Sequence, residues 1–142
     1  MAIDRKYIGY RLAPIEVTVD VECVRRFAAA IGAQSAGIDD GVVPPTYLKV
    51  IEGERNSSRT IVAALSIDLR RVIHVEQEFE YGPAIRSGDR LIVERGVSDI
   101  YERKEGMLEF VVIESCMRRD DGAFAGRSRQ VIVVRNVLRT ES

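Results

Sequence analysis

Hydrophobic positions recur along this chain with two different periods. In residues 21–31, VECVRRFAAAI, the positions Val24, Phe27, Ala28 and Ile31 fall at i, i+3, i+4 and i+7, one face of an amphipathic helix. Thr18 or Asp20 can cap its start, and Gly32 is a natural stop. Residues 33–43, AQSAGIDDGVV, are small, polar and glycine-rich, and read as a loop. Pro44-Pro45 then leads into TYLKVIE. Proline suits a first helical turn because the N–H it lacks would have no acceptor there, so a short, mostly buried helix is predicted. Asn56-Ser57-Ser58 breaks it, and residues 60–72, TIVAALSIDLRRV, fit either helix or strand.

From residue 73 the period becomes two. In IHVEQEFEY, Ile73, Val75, Phe79 and Tyr81 alternate with His74, Glu76, Glu78 and Glu80, which predicts a half-buried antiparallel strand with an acidic outer face. Gly82-Pro83 and Ser87-Gly88-Asp89 punctuate it, the latter as turn chemistry. Further strands are predicted over 90–101, 107–118 and 123–137, with Asp120-Asp121-Gly122 as a tight hairpin between the last two. The segment MLEFVVIESCM is apolar on both faces in its middle, as a central strand covered on both sides would be. The last strand carries Arg127, Arg129 and Arg135 on one face, which reads as the solvated face of an edge strand. Repeats, low-complexity segments and linkers are lacking, and residues 1–142 are read as one domain.

Composition narrows the function classes. The chain has 142 residues, 46% of them apolar, enough for one domain with a sizeable core. With 21 Lys+Arg against 22 Asp+Glu it lacks the basic surplus that nucleic-acid binding draws on. The apolar runs are too short for a transmembrane helix, and the start MAIDRKYIGYRL has no secretory h-region, so a cytoplasmic location away from membranes is expected. Cys23 and Cys116 lie far apart and are expected to be reduced core thiols; with a single histidine they cannot build a structural zinc site.

Early helices followed by long antiparallel strands make an α+β domain. A short apolar helix near 44–53 lying across the concave face of a curved sheet is the hot-dog arrangement. Such a sheet leaves a face or an edge uncovered, so dimerisation is expected.

The order FAAAIG, PPTY, HVEQEFEYGPAIRSGDRL, VSDIYERKEGMLEFVVIE, a DG hairpin and a final strand resembles the MaoC-like dehydratase N-terminal domain, the FAS1-like dehydratase half of hot-dog hydratases. The resemblance runs from about Gly9 to Val137, and its most telling piece is the strand with His74 and Gln77 followed by Pro83 and Ser87-Gly88-Asp89. It implies a hydro-lyase subunit acting in (R)-specific hydration of 2-enoyl thioesters, or the reverse dehydration of 3-hydroxyacyl thioesters, on CoA or acyl carrier protein, with no cofactor. That chemistry needs a carboxylate and an imidazole sharing one water, and a helix N-terminus or backbone N–H polarising the thioester carbonyl.

In the catalytic half of the superfamily the loop after the first helix reads Gly-Asp-x-Asn-Pro-x-His. Laid on Gly32, this chain has Ala33 for the Asp and Ile38 for the His, so the dyad is missing. The chain is thus similar to the non-catalytic subunits of heterodimeric hydroxyacyl dehydratases, where a dyad-bearing hot-dog partner does the chemistry. As a homodimer it would be a non-catalytic acyl-CoA binder. A hot-dog thioesterase is the other alternative, with Asp39, Asp40 or Glu52 directing water at the carbonyl. His74 is left open between strand histidine, binding or interface group, and catalytic base. The resemblance places Thr46, Tyr47 and Asp40 near the acyl tunnel, with core packing the competing reading for Tyr47 and loop solvation for Asp40.

Overall fold

A computed structural model describes residues 2–32 and 41–136. Five antiparallel strands form one sheet in the order β1-β3-β4-β5-β2: β1 (Ile15–Thr18), β2 (Val72–Tyr81), β3 (Arg90–Arg103), β4 (Leu108–Arg119) and β5 (Phe124–Arg135). Three helices, α1 (Val21–Ala30), α2 (Leu48–Glu52) and α3 (Ser57–Ala64), lie among the sequence between β1 and β2. This is the sheet-around-helix arrangement that the periodicities predict. Among the described residues no helix is long and apolar enough to cross a membrane.

Asp20 caps α1 by accepting a hydrogen bond from the Cys23 N–H, and Gly32 follows the helix with φ +76°. Val24 and Ala28 of α1 are buried, Val24 in one cluster with Tyr47, Leu48 and Ile51, while Ile31, predicted for the same face, stays exposed at the helix end. Pro45–Tyr47 form a 3-10 turn that runs directly into α2, and Leu48 and Ile51 press it into the sheet. Gly126 on β5 makes room: a Cβ there would come within 3.2 Å of Leu48. The ambiguous 60–72 segment resolves into the rest of α3 and a 3-10 turn over Leu69–Arg71. A second core lies under α3, where Ile61 and Leu65 meet Val97, Val111 and Ile132.

Three expectations fail. β5 is an interior strand, and Arg127 and Arg129 pair across the ladder with Glu80, Glu76 and Glu78 of β2 instead of lining an edge. Arg135 remains exposed. The edge strand beside β5 is β2, and its alternation is cut by a bulge between His74 and Glu76. Glu78 stands opposite Arg129 and Ile73 opposite Val133, so Ile73 shares the convex face with the acids. His74 stands opposite Ile132, which puts it on the concave face with Phe79 and Gln77. The cysteines are free and half-buried, not sealed in the core.

Candidate functional site

Among the described residues, a cavity lies at each end of α2 on the concave side of the sheet. The first, about 190 Å³, lies at the N-terminal end. Its wall includes Val43, Pro45, Leu48, Tyr81, Ile85 and Ala125, almost entirely apolar. The X-Pro-Pro stretch holds the chain extended up to Pro45, and Gly82-Pro83 turns the end of β2 back toward it. Tyr81 ties the two together, its hydroxyl donating to the Pro45 carbonyl at 3.1 Å. Gly82 is required in this position because a Cβ would sit 2.7 Å from the Phe124 carbonyl oxygen.

Between the cavities lies a buried polar cluster under α2. Glu52 is shut off from solvent. Its Oε1 accepts from the Ser128 hydroxyl and its Oε2 from Lys49 Nζ at 2.8 Å. Arg95, 2% exposed, reaches in from β3 and donates to Gln130 Oε1 at 2.6 Å, to the Ser57 hydroxyl at 2.6 Å and to the Ser58 hydroxyl at 2.8 Å. Its guanidinium lies 3.8 Å from the Glu52 carboxylate. Burial pulls the guanidinium pKa down and the Glu52 charge opposes that. A buried charge pair of this kind holds only when its remaining donors and acceptors are met, and the serines and Gln130 meet most of them.

The residues singled out from the sequence do not gather in one place. Tyr47 is 3% exposed and stacks edge-on against Phe27 with ring centroids 5.3 Å apart; burial pushes its phenol up to about 12. Thr46 is exposed on the 3-10 turn beside it. His74 is exposed on the edge strand, its Nε2 donating to the Glu76 carbonyl at 3.0 Å. Among the described residues no carboxylate lies within ion-pair distance of that ring. Asp39 and Asp40, and the Ala33 and Ile38 positions, lie outside the described residues. Glu52 is in place under the helix, but both its oxygens are engaged and sealed from water. Asp89 is the turn residue it resembles, accepting from the Arg86 N–H and from Arg119.

Sequence reasoning overlooked Arg95 and Gln130. A signal exists for Arg95: it falls in register with Leu91, Val93 and Val97 on the inward face of β3, where a charge needs a partner.

Comparison with known proteins agrees with this architecture. A family described as FAS1-like, dehydratase domain region, matches residues 6–125. A UPF0336 protein of Thermobifida fusca is 31% identical over an alignment 149 positions long, covering 95% of each chain. Among solved structures, the (3R)-hydroxyacyl-ACP dehydratase complex HadBC of Mycobacterium tuberculosis superposes with a TM-score of 0.71 at 20% identity, over 85% of this chain and 91% of that one. The ChsH1-ChsH2 complex of the same organism gives 0.67 at 14% identity, over 90% and 85%. With most of its length matched and the sheet-around-helix fold shared, the chain belongs to the family of FAS1-like dehydratase domains.

Proposed function

We propose that this chain is the accessory, substrate-shaping subunit of an (R)-specific enoyl-thioester hydratase / 3-hydroxyacyl-thioester dehydratase, and that a dyad-bearing hot-dog partner supplies the catalytic carboxylate and imidazole. One observation carries the reading. The chain has a single histidine, and that histidine sits on an exposed edge strand with no carboxylate beside it among the described residues. Adding water across a 2-enoyl thioester requires a base to take a proton from the water and an acid to protonate the α-carbon. No imidazole of this chain stands at the N-terminal end of α2 to share that work.

The remaining features fit a shaping role. The apolar cavity beside Pro45 and Leu48 has the character of an acyl site, with Thr46 exposed near its mouth. Among the described residues the ten-residue strand β2 has β5 as its one neighbour, and it leaves Ile73 and Val75 exposed, an edge suited to a second sheet. The two mycobacterial complexes that share the fold are both assemblies of two named components or subunits. The thioesterase alternative loses its best-placed carboxylate, because Glu52 is closed to the water it would have to direct.

The test is crotonyl-CoA hydration by the purified chain, alone and after co-expression with a hot-dog subunit bearing Gly-Asp-x-Asn-Pro-x-His. The isolated chain is expected to lack activity, since the acid–base pair is worth about 10²–10⁴-fold in itself. The pair of subunits is expected to be active. A robust rate from the isolated chain that survives His74→Ala overturns the reading.

A further inference from the structure

The second cavity, about 210 Å³, opens at the C-terminal end of α2 and shares no lining residue with the one at Pro45. One side is apolar: Leu12, Ala13 and Ile15 from the N-terminal segment and β1, and Val93 from β3. The other side is polar, with Arg95 in the floor and Arg55 at the rim. Glu54 is also at the rim and Glu52 behind it.

Three observations mark this as a site built for a ligand. Arg95 is almost fully buried, yet its Nε has no acceptor; a buried donor of a charged group left unpaired is costly to the fold. The cluster behind the cavity carries two cations, the buried Arg95 and the half-exposed Lys49, against the single carboxylate of Glu52, whose oxygens are already turned to Ser128 and Lys49. Arg55, at the rim, adopts left-handed backbone with φ of 59°, and so does Asn56 next to it in the chain, with φ of 57°. Non-glycine residues held in that region are strained and cluster at ligand clamps. Among the described residues, no hydrogen bond or ion pair engages the Arg55 guanidinium.

We infer that this cavity binds a small monocarboxylate with a compact apolar tail. The carboxylate lies against the guanidinium groups of Arg95 and Arg55, and the tail lies along Leu12, Ala13, Ile15 and Val93. The Arg55 guanidinium offers a planar fork that matches carboxylate geometry, and Arg95, whose other nitrogens are taken by Gln130 and the serines, offers its unpaired Nε. The apolar wall disfavours a bare inorganic anion, which would leave it wetted. A volume below the ~300–1,000 Å³ of sites that take drug-sized molecules limits the ligand to a few heavy atoms. The site is separate from the thioester cavity, and its occupation does not depend on the hydratase reading.

Sodium hexanoate and neutral hexanamide, titrated into the isolated full-length chain and followed by calorimetry and amide NMR shifts, test this. Expected is saturable hexanoate binding with a Kd of about 1 mM or tighter, absent for the amide. Ala13→Leu, an exposed position at the mouth, fills the tail site and weakens binding at least about tenfold; Arg55→Ala weakens it as well. Both variants retain Arg95 and its buried network, so folding is preserved and verified by the unshifted remainder of the spectrum. Absence of saturation in that range, equal binding of the amide, or binding indifferent to Ala13→Leu overturns the inference.

Discussion

Glu52 Oε2 and Lys49 Nζ lie 2.8 Å apart on one face of α2, the carboxylate sealed from solvent and the ammonium at the edge of the core. The pair faces Arg95, so one buried carboxylate serves a buried guanidinium and a half-exposed ammonium. Removing Glu52 strips both cations of their counter-charge, whereas removing both Glu52 and Arg95 removes the problem. Glu52→Leu is therefore expected to destabilise the chain by about 3–5 kcal/mol, and Glu52→Leu with Arg95→Met by less than Glu52→Leu alone. Urea unfolding of the two variants against the parent measures this.

Glu109 on β4 is nearly fully buried and ties the two ends of the described chain together. It accepts from the Ile3 N–H at 2.9 Å, from Asn136 Nδ2 at 2.9 Å and from Arg5 at 3.2 Å. Burial alone pushes its carboxyl up, but the hydrogen bonds from Asn136, Ile3 and Arg5 outweigh burial and hold it below the usual range. A folded-state pKa depressed below the unfolded one gives stability that is present at neutral pH and is lost as pH falls through the folded pKa. Stability is thus expected to fall from about pH 5 downward, and Glu109→Gln to flatten that fall. Equilibrium unfolding at a series of acidic pH values checks the slope.

Gly96 on β3 sits where the N-terminal segment crosses the sheet. The Val97 N–H donates to the Tyr10 carbonyl at 2.8 Å and the Leu12 N–H to the Arg95 carbonyl at 2.9 Å. A Cβ at Gly96 would lie 2.5 Å from the Tyr10 carbonyl oxygen, which is backbone and cannot swing aside. Gly96→Ala is expected to push the segment off β3 at a cost of about 1–3 kcal/mol. Faster hydrogen exchange at the Leu12 and Val97 amides is the direct readout; unchanged protection there would refute it.

The elements with a sustained period were legible in the sequence. The Val24–Ala28 face and the alternation in β3, β4 and β5 each commit many residues to one buried side. β1 escaped because four residues carry too little pattern. The bulge in β2 was hidden for a different reason: in IHVEQEFEY only Gln77 departs from the alternation, and the slip at Val75 is set by pairing with β5, not by β2's own residues. For the same reason His74 was grouped with Glu76 and Glu78, although pairing puts it opposite Ile132. The polar cluster was half legible. Arg95 breaks an apolar register, but that Lys49, Glu52, Ser128 and Gln130 converge on it depends on how α2 lies across the sheet.

The free edge of β2 gives the last expectation. Ile73 and Val75 are 44% and 45% exposed, on a ten-residue strand whose outer hydrogen-bonding groups have no neighbouring strand among the described residues. An edge of this length with two exposed aliphatic side chains invites a second sheet, and a lysine placed on it is a device that blocks such pairing. Val75 is the unpaired residue of the bulge, so a charge there leaves the ladder with β5 intact. The parent chain, alone or with its hot-dog partner, is expected to sediment as a dimer at micromolar concentration. Val75→Lys is expected to sediment as a monomer with an unchanged urea midpoint. If the variant assembles as well as the parent, β2 is not the interface. If it loses its midpoint as well, Val75 is structural rather than a contact. In either case the partner must be sought on another surface.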